Sequence, residues 1–438
     1  MRSIPRPLTV VDLFAGAGGI AEGFRQAGFR VIAGNDSDPD ACATFARNFT
    51  DAEVVCGDIR TASVKRRVLE LSRGVDVVVG GPPCQAFSQV RNHVRVIDDP
   101  RNSLYREFVH MVGVLLPSAF LMENVTGIDQ MGCREQIAAD LALGGEYEVR
   151  PQVIDAANVG VPQTRKRLIF VGLRKGSRCS PAVIRQTSAT RLVGLARSVA
   201  KGQTHYAIQA SNDLFADAAL NSLLDVEDTS IISAEQALSD LVSISAGRRD
   251  DVVSYKELAP PLSAYQRYAR EGAGDDLHNV QVPRIRSDTR QRLRAIPVGG
   301  NHRDLPESLL ARNLSDERWG PENGSGLLSR RHYYAYRRLH PDIWSWTLNT
   351  KGDCVYHYNG RRSLSVREFA RLHSFQDRFV FATDPRRGQL PGRHDGGAAH
   401  SRYRQVGNAV PPLLARACAD AIRSSLESMV KDERLVAA

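Results

Sequence analysis

Short apolar runs broken by glycine- and aspartate-bearing turns set the rhythm of the first third of this chain. Thr9 to Phe14 (TVVDLF) has the length and β-branched content of a strand, AGAGG follows as a glycine turn, and Ile20 to Ala27 has the pattern of an amphipathic helix. Val31 to Gly34 (VIAG) opens a second predicted strand, and in NDSDPDACATFARNF the aspartates precede a helix as N-caps do. Val54 and Val55 lead to CGDI, Val75 to Val79 (VDVVV) to GGPPCQ, and Ala119 to Met122 (AFLM) to ENV. Val153 and Ile154 then open a segment that ends in the apolar run Leu168 to Leu173 (LIFVGL). Repeated strand–helix units of this kind predict an α/β fold with a doubly wound, mainly parallel sheet. Asp12, Asp36, Asp58, Cys84 and Glu123 fall at the ends of its strands. Ligands of open α/β sheets bind at that carboxyl edge, so this row predicts the functional rim.

After Lys175 the rhythm changes. Residues 176–360 lose the strand–helix alternation and gain serine, glycine and arginine with scattered aromatics. RIRSDTRQRLR (Arg284 to Arg294) and SRRHYYAYRRLH (Ser329 to His340) concentrate positive charge beside aromatic rings, which suits contact with a polyanion as well as a solvated helix face. In SVREFARLHSF, Phe369, Leu372 and Phe375 stand at helical spacing and predict a core helix. PGRHDGGAAHSRYR reads as a loop, and QVGNAVPPLLARACADAI as a glycine turn leading into an amphipathic helix. Three spans follow: 1–175 with the sheet, an inserted smaller region at 176–395, and 396–438 returning to the first.

Composition narrows the class. The chain has 438 residues, 42% hydrophobic and 24% charged, ordinary for a water-soluble globular protein, but its formal charge of +9 favours a polyanionic partner. The start, MRSIPRPLTVV, lacks an apolar h-region and no stretch reaches transmembrane length, so a cytoplasmic protein with no membrane partner is expected. Seven cysteines without a CxxC pair argue against a disulfide framework or zinc site. No metal is expected, and Cys84 should be available as a thiol.

DLFAGAGG, Asp12 to Gly19, is a strand–turn–helix nucleotide loop whose glycines let the backbone approach a ligand. Gly16, Gly18 and Ala21 satisfy GxGxxG/A, so alone the loop fits a nicotinamide dinucleotide as well as S-adenosylmethionine. Asp36, at the end of the second strand, can accept hydrogen bonds from both ribose hydroxyls, and Asp58 one from an adenine amino group. These needs are met by an adenosyl ligand without a pyrophosphate. Cys84, stiffened by Pro82 and Pro83, is a candidate nucleophile at the sheet edge, although free cysteines are also commonly buried and inert. Glu123, in MENV, places a carboxyl group at the same mouth: a thiol that adds to a ring and an acid that hydrogen-bonds the ring nitrogen make a chemical pair. In QTRKR, Arg165 and Arg167 share one side of an extended segment, where they can lower a thiol's pKa and hold an anionic substrate.

Taken in order, DLFAGAGG, NDSDPDA, GDI, GGPPCQAFS, MENV, QTRKRLIFVG, REFARLHSFQDRF and QVGNAVPP resemble the DNA (cytosine-5) methyltransferases over nearly the whole chain. The resemblance implies a Rossmann-like S-adenosylmethionine-dependent methyltransferase domain, with much of 176–395 as a smaller, inserted target recognition domain. It implies Cys84 as nucleophile, Glu123 as its partner at the cytosine ring, Arg165 holding a flipped base and Arg167 supporting that site. Phe14, Gly16, Gly18, Asp36, Asp58, Ile59, Pro83, Asn408 and Val410 would surround S-adenosyl-L-methionine, which leaves as S-adenosyl-L-homocysteine. Gln85 and Ser88, in the loop after Cys84, and Arg284, Arg286 and Arg290 would contact double-stranded DNA. A monomer associated with the nucleoid, alongside a cognate restriction endonuclease, completes the implied setting. An RNA cytosine-5 methyltransferase and a non-catalytic DNA-binding protein on the same scaffold are the alternatives. Two departures stand out. Asp36 replaces the glutamate of many members and is one methylene shorter, and PRRGQLPGRHDGGAAHSR extends the segment before QVGNAVPP.

Overall fold

The structure, a computed structural model, describes residues 6–83, 103–130, 132–175, 180–187, 231–310, 336–386 and 397–436. Its centre is a seven-stranded sheet of β1 (Thr9–Leu13), β2 (Arg30–Asp36), β3 (Glu53–Cys56), β4 (Val77–Gly80), β5 (Ala119–Val125), β6 (Tyr147–Asp155) and β7 (Lys166–Arg174), ordered β3-β2-β1-β4-β5-β7-β6. The pairs among β1 to β5 are parallel, whereas β7 runs antiparallel to both β5 and β6. The predicted mainly parallel sheet is therefore the observed one, completed by an antiparallel hairpin.

Why these strands are so apolar follows from the layers. Side chains alternate across a strand, and both faces of this sheet are covered. Val10, Val77, Val79, Leu121, Ile169 and Val171 pack with Phe24 of the helix Gly19–Gln26 and with Leu414, Cys418 and Ile422 of the helix Pro412–Val436. Val11, Leu13, Val78, Phe120, Met122, Leu168 and Phe170 pack on the other face with Phe108, Met111 and Ile137. Gly172 lies opposite Phe120, whose ring comes within 2.1 Å of where a Cβ would stand, so the strand pair closes only over a glycine.

Residues 231–310 form short elements around a small cluster of Leu241, Ile244, Val253, Leu277, Val280 and Val282. The helix Val366–Leu372 is capped by a Ser365–Glu368 capping box, and Phe369, Leu372 and Phe375 are fully buried, as their spacing predicts. What joins these parts is a buried charge network. Arg371 is bonded by Nε and Nη2 to the carboxylate of Asp377 at 2.9 and 2.6 Å and also pairs with Asp240, which in turn accepts from Arg270. The two acids hold the Arg371 pKa above its ordinary value against the effect of burial. Arg367 donates to three carbonyls, those of His278, Gln376 and Phe379.

One expectation is corrected. GAAHSRYRQVGN is not a loop: Gly397–Asn408 is a helix. Its Tyr403 is buried and donates to Leu364 O, and its Ser401 hydroxyl donates to Asp40 at 2.6 Å. The glycines before it hid the spacing of Tyr403 and Val406, both buried. Gly407 is accordingly no free turn but part of the last helical turn, where Asn349 O would lie 2.1 Å from a Cβ.

Arg371→Ala leaves Asp377 and Asp240 buried without their shared cation, and should cost about 3–5 kcal/mol. Denaturant unfolding of wild type and variant measures it; a change within 1 kcal/mol, roughly the worth of an exposed pair, would show that the network is solvated in solution.

Candidate active-site cleft

A cleft of about 1010 Å³ opens along the carboxyl edge of the parallel strands. The turn after β1 forms one end. Phe14, Gly16 and Gly18 all have positive φ (57°, 54° and 97°), a tight reversal that brings the Gly16 N–H onto the Asp36 carboxylate at 2.8 Å. The other Asp36 oxygen accepts from Asp38 N at 2.8 Å. Each oxygen keeps a lone pair, so the carboxylate is oriented rather than saturated. Burial raises the Asp36 pKa, and the backbone donors oppose that rise. Asp38 caps the helix Pro39–Asn48 and pairs with Arg404 at 3.1 Å. Asp58 stands half-exposed on the rim and pairs with Arg60 at 2.5 Å, whose hydrogen bond is the main cause of a lowered pKa.

The opposite end belongs to β4, β5 and β7. Glu123 Oε1 meets Arg167 Nε at 2.6 Å, and Glu123 Oε2 lies 3.0 Å from where a Cβ of Gly81 would be. Asn124 donates to Pro82 O at 3.3 Å, so β5 fixes the turn that follows β4. Arg165 goes elsewhere. Its Nη1 donates to Leu348 O at 3.0 Å and its Nη2 to Gly407 O at 2.7 Å, and the buried Nε has no partner among the described residues. Burial lowers the Arg165 pKa, and the neighbouring Arg167 charge adds to the effect.

Phe14, Gly16, Asp36, Asp58, Ile59, Pro83, Glu123, Arg165, Arg167, Asn408 and Val410 all line this cleft, as the sequence placed them together. Gly18 does not. A Cβ there would stand 2.6 Å from the Phe49 ring, so this glycine serves the packing of the loop. Asp12 is not on the rim either: it is fully buried, accepts from Ala21 N at 3.0 Å, and burial pushes its pKa up to about 8. Cys84, Gln85 and Ser88 lie outside the described residues. Arg284, Arg286 and Arg290 are exposed and away from the cleft lining. Among the described residues no helix is long and apolar enough to cross a membrane, and no cluster of three or more metal-ligating side chains occurs.

Gln163 and His373 are the residues that sequence reading missed. Gln163 accepts from Leu348 N at 2.9 Å and donates to Leu372 O at 3.2 Å. It also faces His373 Nδ1 at 2.9 Å, while His373 Nε2 faces Ala409 O at 2.8 Å. Burial holds the His373 pKa well below its ordinary value, so the ring is neutral, with its proton on the nitrogen that faces the carbonyl. Gln163 lies within QTRKR, yet nothing local marks it, because its partners are backbone groups far along the chain.

Comparison with known proteins agrees with this arrangement. The type II methyltransferase M.AgeI of Thalassovita gelatinovora is 31% identical over 467 residues, covering 96% of this chain and 100% of that one. The type II methyltransferase M1.HphI of Haemophilus parahaemolyticus is 30% identical over 420 residues, covering 95% and 86%. The fold matches the crystal structure of a prophage-encoded E. coli protein with a TM-score of 0.63 at 21% identity, covering 96% and 99%. Residues 8–424 match the model of the C-5 cytosine-specific DNA methylase family, and the chain belongs to that family.

Proposed function

We propose that this chain transfers a methyl group from S-adenosyl-L-methionine to C5 of a flipped-out cytosine in double-stranded DNA, at a specific sequence. One observation carries the reading: a single cleft joins an oriented carboxylate and glycine turn at one end to the Glu123–Arg167 pair at the other. The first end fits an adenosyl group. Asp36 offers free lone pairs to hydroxyls, Asp58 stands at the rim for an amino group, and Phe14 and Ile59 supply apolar walls. Asp38 and Asp58 have cationic partners, which leaves Asp36 as an uncompensated charge unfavourable to a diphosphate. S-adenosyl-L-methionine, when bound there, supplies an electrophilic methyl group and leaves as S-adenosyl-L-homocysteine.

At the other end the chain's own residues activate the base. Extrusion from the stack costs a few kcal/mol and exposes the ring edge. The Cys84 thiolate, directly after Pro83, adds to C6 while the Glu123 carboxyl hydrogen-bonds N3, which makes C5 nucleophilic. Once C5 is methylated, loss of its proton returns an electron pair to the ring and expels Cys84. The two arginines divide the work differently from the expectation drawn from the resemblance: Arg167 touches Glu123 and faces the base with it, whereas Arg165 braces the wall behind. Residues 176–395 are proposed as the target recognition region. The type II naming of the relatives supports a cognate restriction endonuclease as partner.

Cys84→Ser should abolish methyl transfer while DNA binding persists, because a hydroxyl is a far poorer nucleophile than a thiolate. DNA carrying 5-fluorocytosine at the target should trap wild type covalently; methylation by Cys84→Ser, or failure to trap, sinks the covalent mechanism.

Glu123→Gln should lower turnover about 10²–10⁴-fold with cofactor affinity little changed. Asp36→Ala and Asp58→Ala should instead weaken S-adenosylmethionine about tenfold to a hundredfold, the worth of one charge-assisted hydrogen bond. Calorimetric titration separates the groups; equal weakening by all three would show that the two ends are misassigned.

Neutralising Arg284, Arg286 and Arg290 together should weaken specific and unrelated duplexes alike, with each lost phosphate contact reducing the log–log salt slope by about one. An unchanged slope across a salt series would place the DNA elsewhere.

A further inference from the structure

A second cavity, of about 380 Å³, lies where residues 247–251 and 281–284 meet the helices Val366–Leu372 and Gly397–Asn408. Its walls carry four guanidinium groups, Arg248, Arg249, Arg284 and Arg402, and one carboxylate, Asp251, for a net charge of +3. That carboxylate is already occupied. Asp251 Oδ2 accepts from Arg402 Nη1 at 2.7 Å and from Asn279 at 3.5 Å, and Oδ1 accepts from Gln281 N at 3.4 Å.

The arginines are less well served. Arg248 donates from Nη2 to Val252 O at 2.9 Å, yet its Nε–H is buried and has no partner among the described residues. The Nε–H of Arg402 is buried and unpartnered in the same sense. Two buried cationic donors without acceptors, on the walls of one cavity, are rarely left so in a folded protein. Arg249 and Arg284 are exposed and have no ion pair among the described residues. Water can occupy an orphan N–H but leaves the excess charge in place, whereas a tetrahedral oxyanion meets both needs.

The cavity is separate from the cleft. Arg402 and Arg404 are two residues apart on one helix and so project about 200° apart. Arg404 lines the cleft and pairs with Asp38, while Arg402 lines this cavity.

We propose that this cavity is a phosphate-binding site, held by Arg248, Arg249, Arg284 and Arg402. Its ligand is a phosphodiester of bound duplex or a free phosphate group; the duplex source alone rests on the DNA methyltransferase reading above. Arg284 would then have a defined anchoring point, while Arg286 and Arg290 extend the same positive face along the helix Ser287–Ala295.

Calorimetric titration of the full chain with inorganic phosphate, in a buffer free of other oxyanions, tests the site. Wild type should show one saturable site, weakened about tenfold or more in Arg249→Gln/Arg284→Gln and retained in Arg286→Gln/Arg290→Gln. Thermal melts establish that each variant is folded, and Arg249→Gln alone replaces the pair if the pair is not. Phosphate that displaces a duplex, with a shallower salt slope in the cavity variant, identifies the phosphodiester source; phosphate binding to which duplex is indifferent identifies the free anion. No saturable phosphate binding by wild type, or equal binding by wild type and both variants, overturns the proposal. The two readings fail separately. Methyl transfer to DNA without phosphate binding removes the site and keeps the enzyme, and phosphate binding without methyl transfer does the reverse.

Discussion

A buried guanidinium with no carboxylate to answer it holds the cleft together. Arg165 donates to Leu348 O and Gly407 O, which lie 183 and 242 residues away in sequence. The carbonyls it meets are themselves pegged. Gln163 accepts from Leu348 N, and His373 faces both Gln163 and Ala409 O. A buried peptide group without a partner is costly, so each bond in this ring constrains the next. Three segments with no local reason to meet are thereby fixed against one sheet edge. The walls that carry Glu123, Asn408 and Val410 take their positions from that ring. Removing Arg165 would leave two buried carbonyls unsatisfied as well as a void.

The charge network around Arg371 does the equivalent work one layer out, but with different physics. There, carboxylates supplied by two separate segments neutralise one cation, and Tyr255 closes the shell by donating to Asp377 at 2.6 Å. Ion pairs of this kind add little net stability compared with apolar packing, yet they allow very few alternative arrangements. The helix Val366–Leu372 is thus fitted to the elements around Asp240 and Arg270 by charge, and to the main core by Phe369 and Phe375.

Much of the sheet was legible because its strands are buried on both faces and read as short β-branched runs; β4 and β5 are examples. The cleft was legible to the degree that its residues sit at strand ends. Asp36, Glu123 and Arg167 obey that rule. Asp12 breaks it, since the alternation of β1 points it at the helix Gly19–Gln26 rather than the ligand edge. The helix Gly397–Asn408 was masked by the glycines at its start. Gln163 and His373 were invisible for a deeper reason. A side chain whose partners are main-chain groups leaves no complementary residue elsewhere for a reader to match.

The reversed direction of β7 settles how the rest of the chain can be arranged. A parallel strand delivers its last residues to the ligand edge, but β7 runs the other way and delivers its first, so Lys166 and Arg167 arrive beside Asn124 and Val125 near the end of β5. The strand then exits at the far side of the sheet, where Arg174 N donates to Ser118 O at the start of β5. Whatever follows begins its path about the full width of the sheet away from the cleft and re-enters only near Thr347 to Thr350. Departure and return are anchored independently, one by a strand pair and the other by the ring around Arg165. The intervening polypeptide is therefore a loop between two fixed posts, and its length and content can change without moving either.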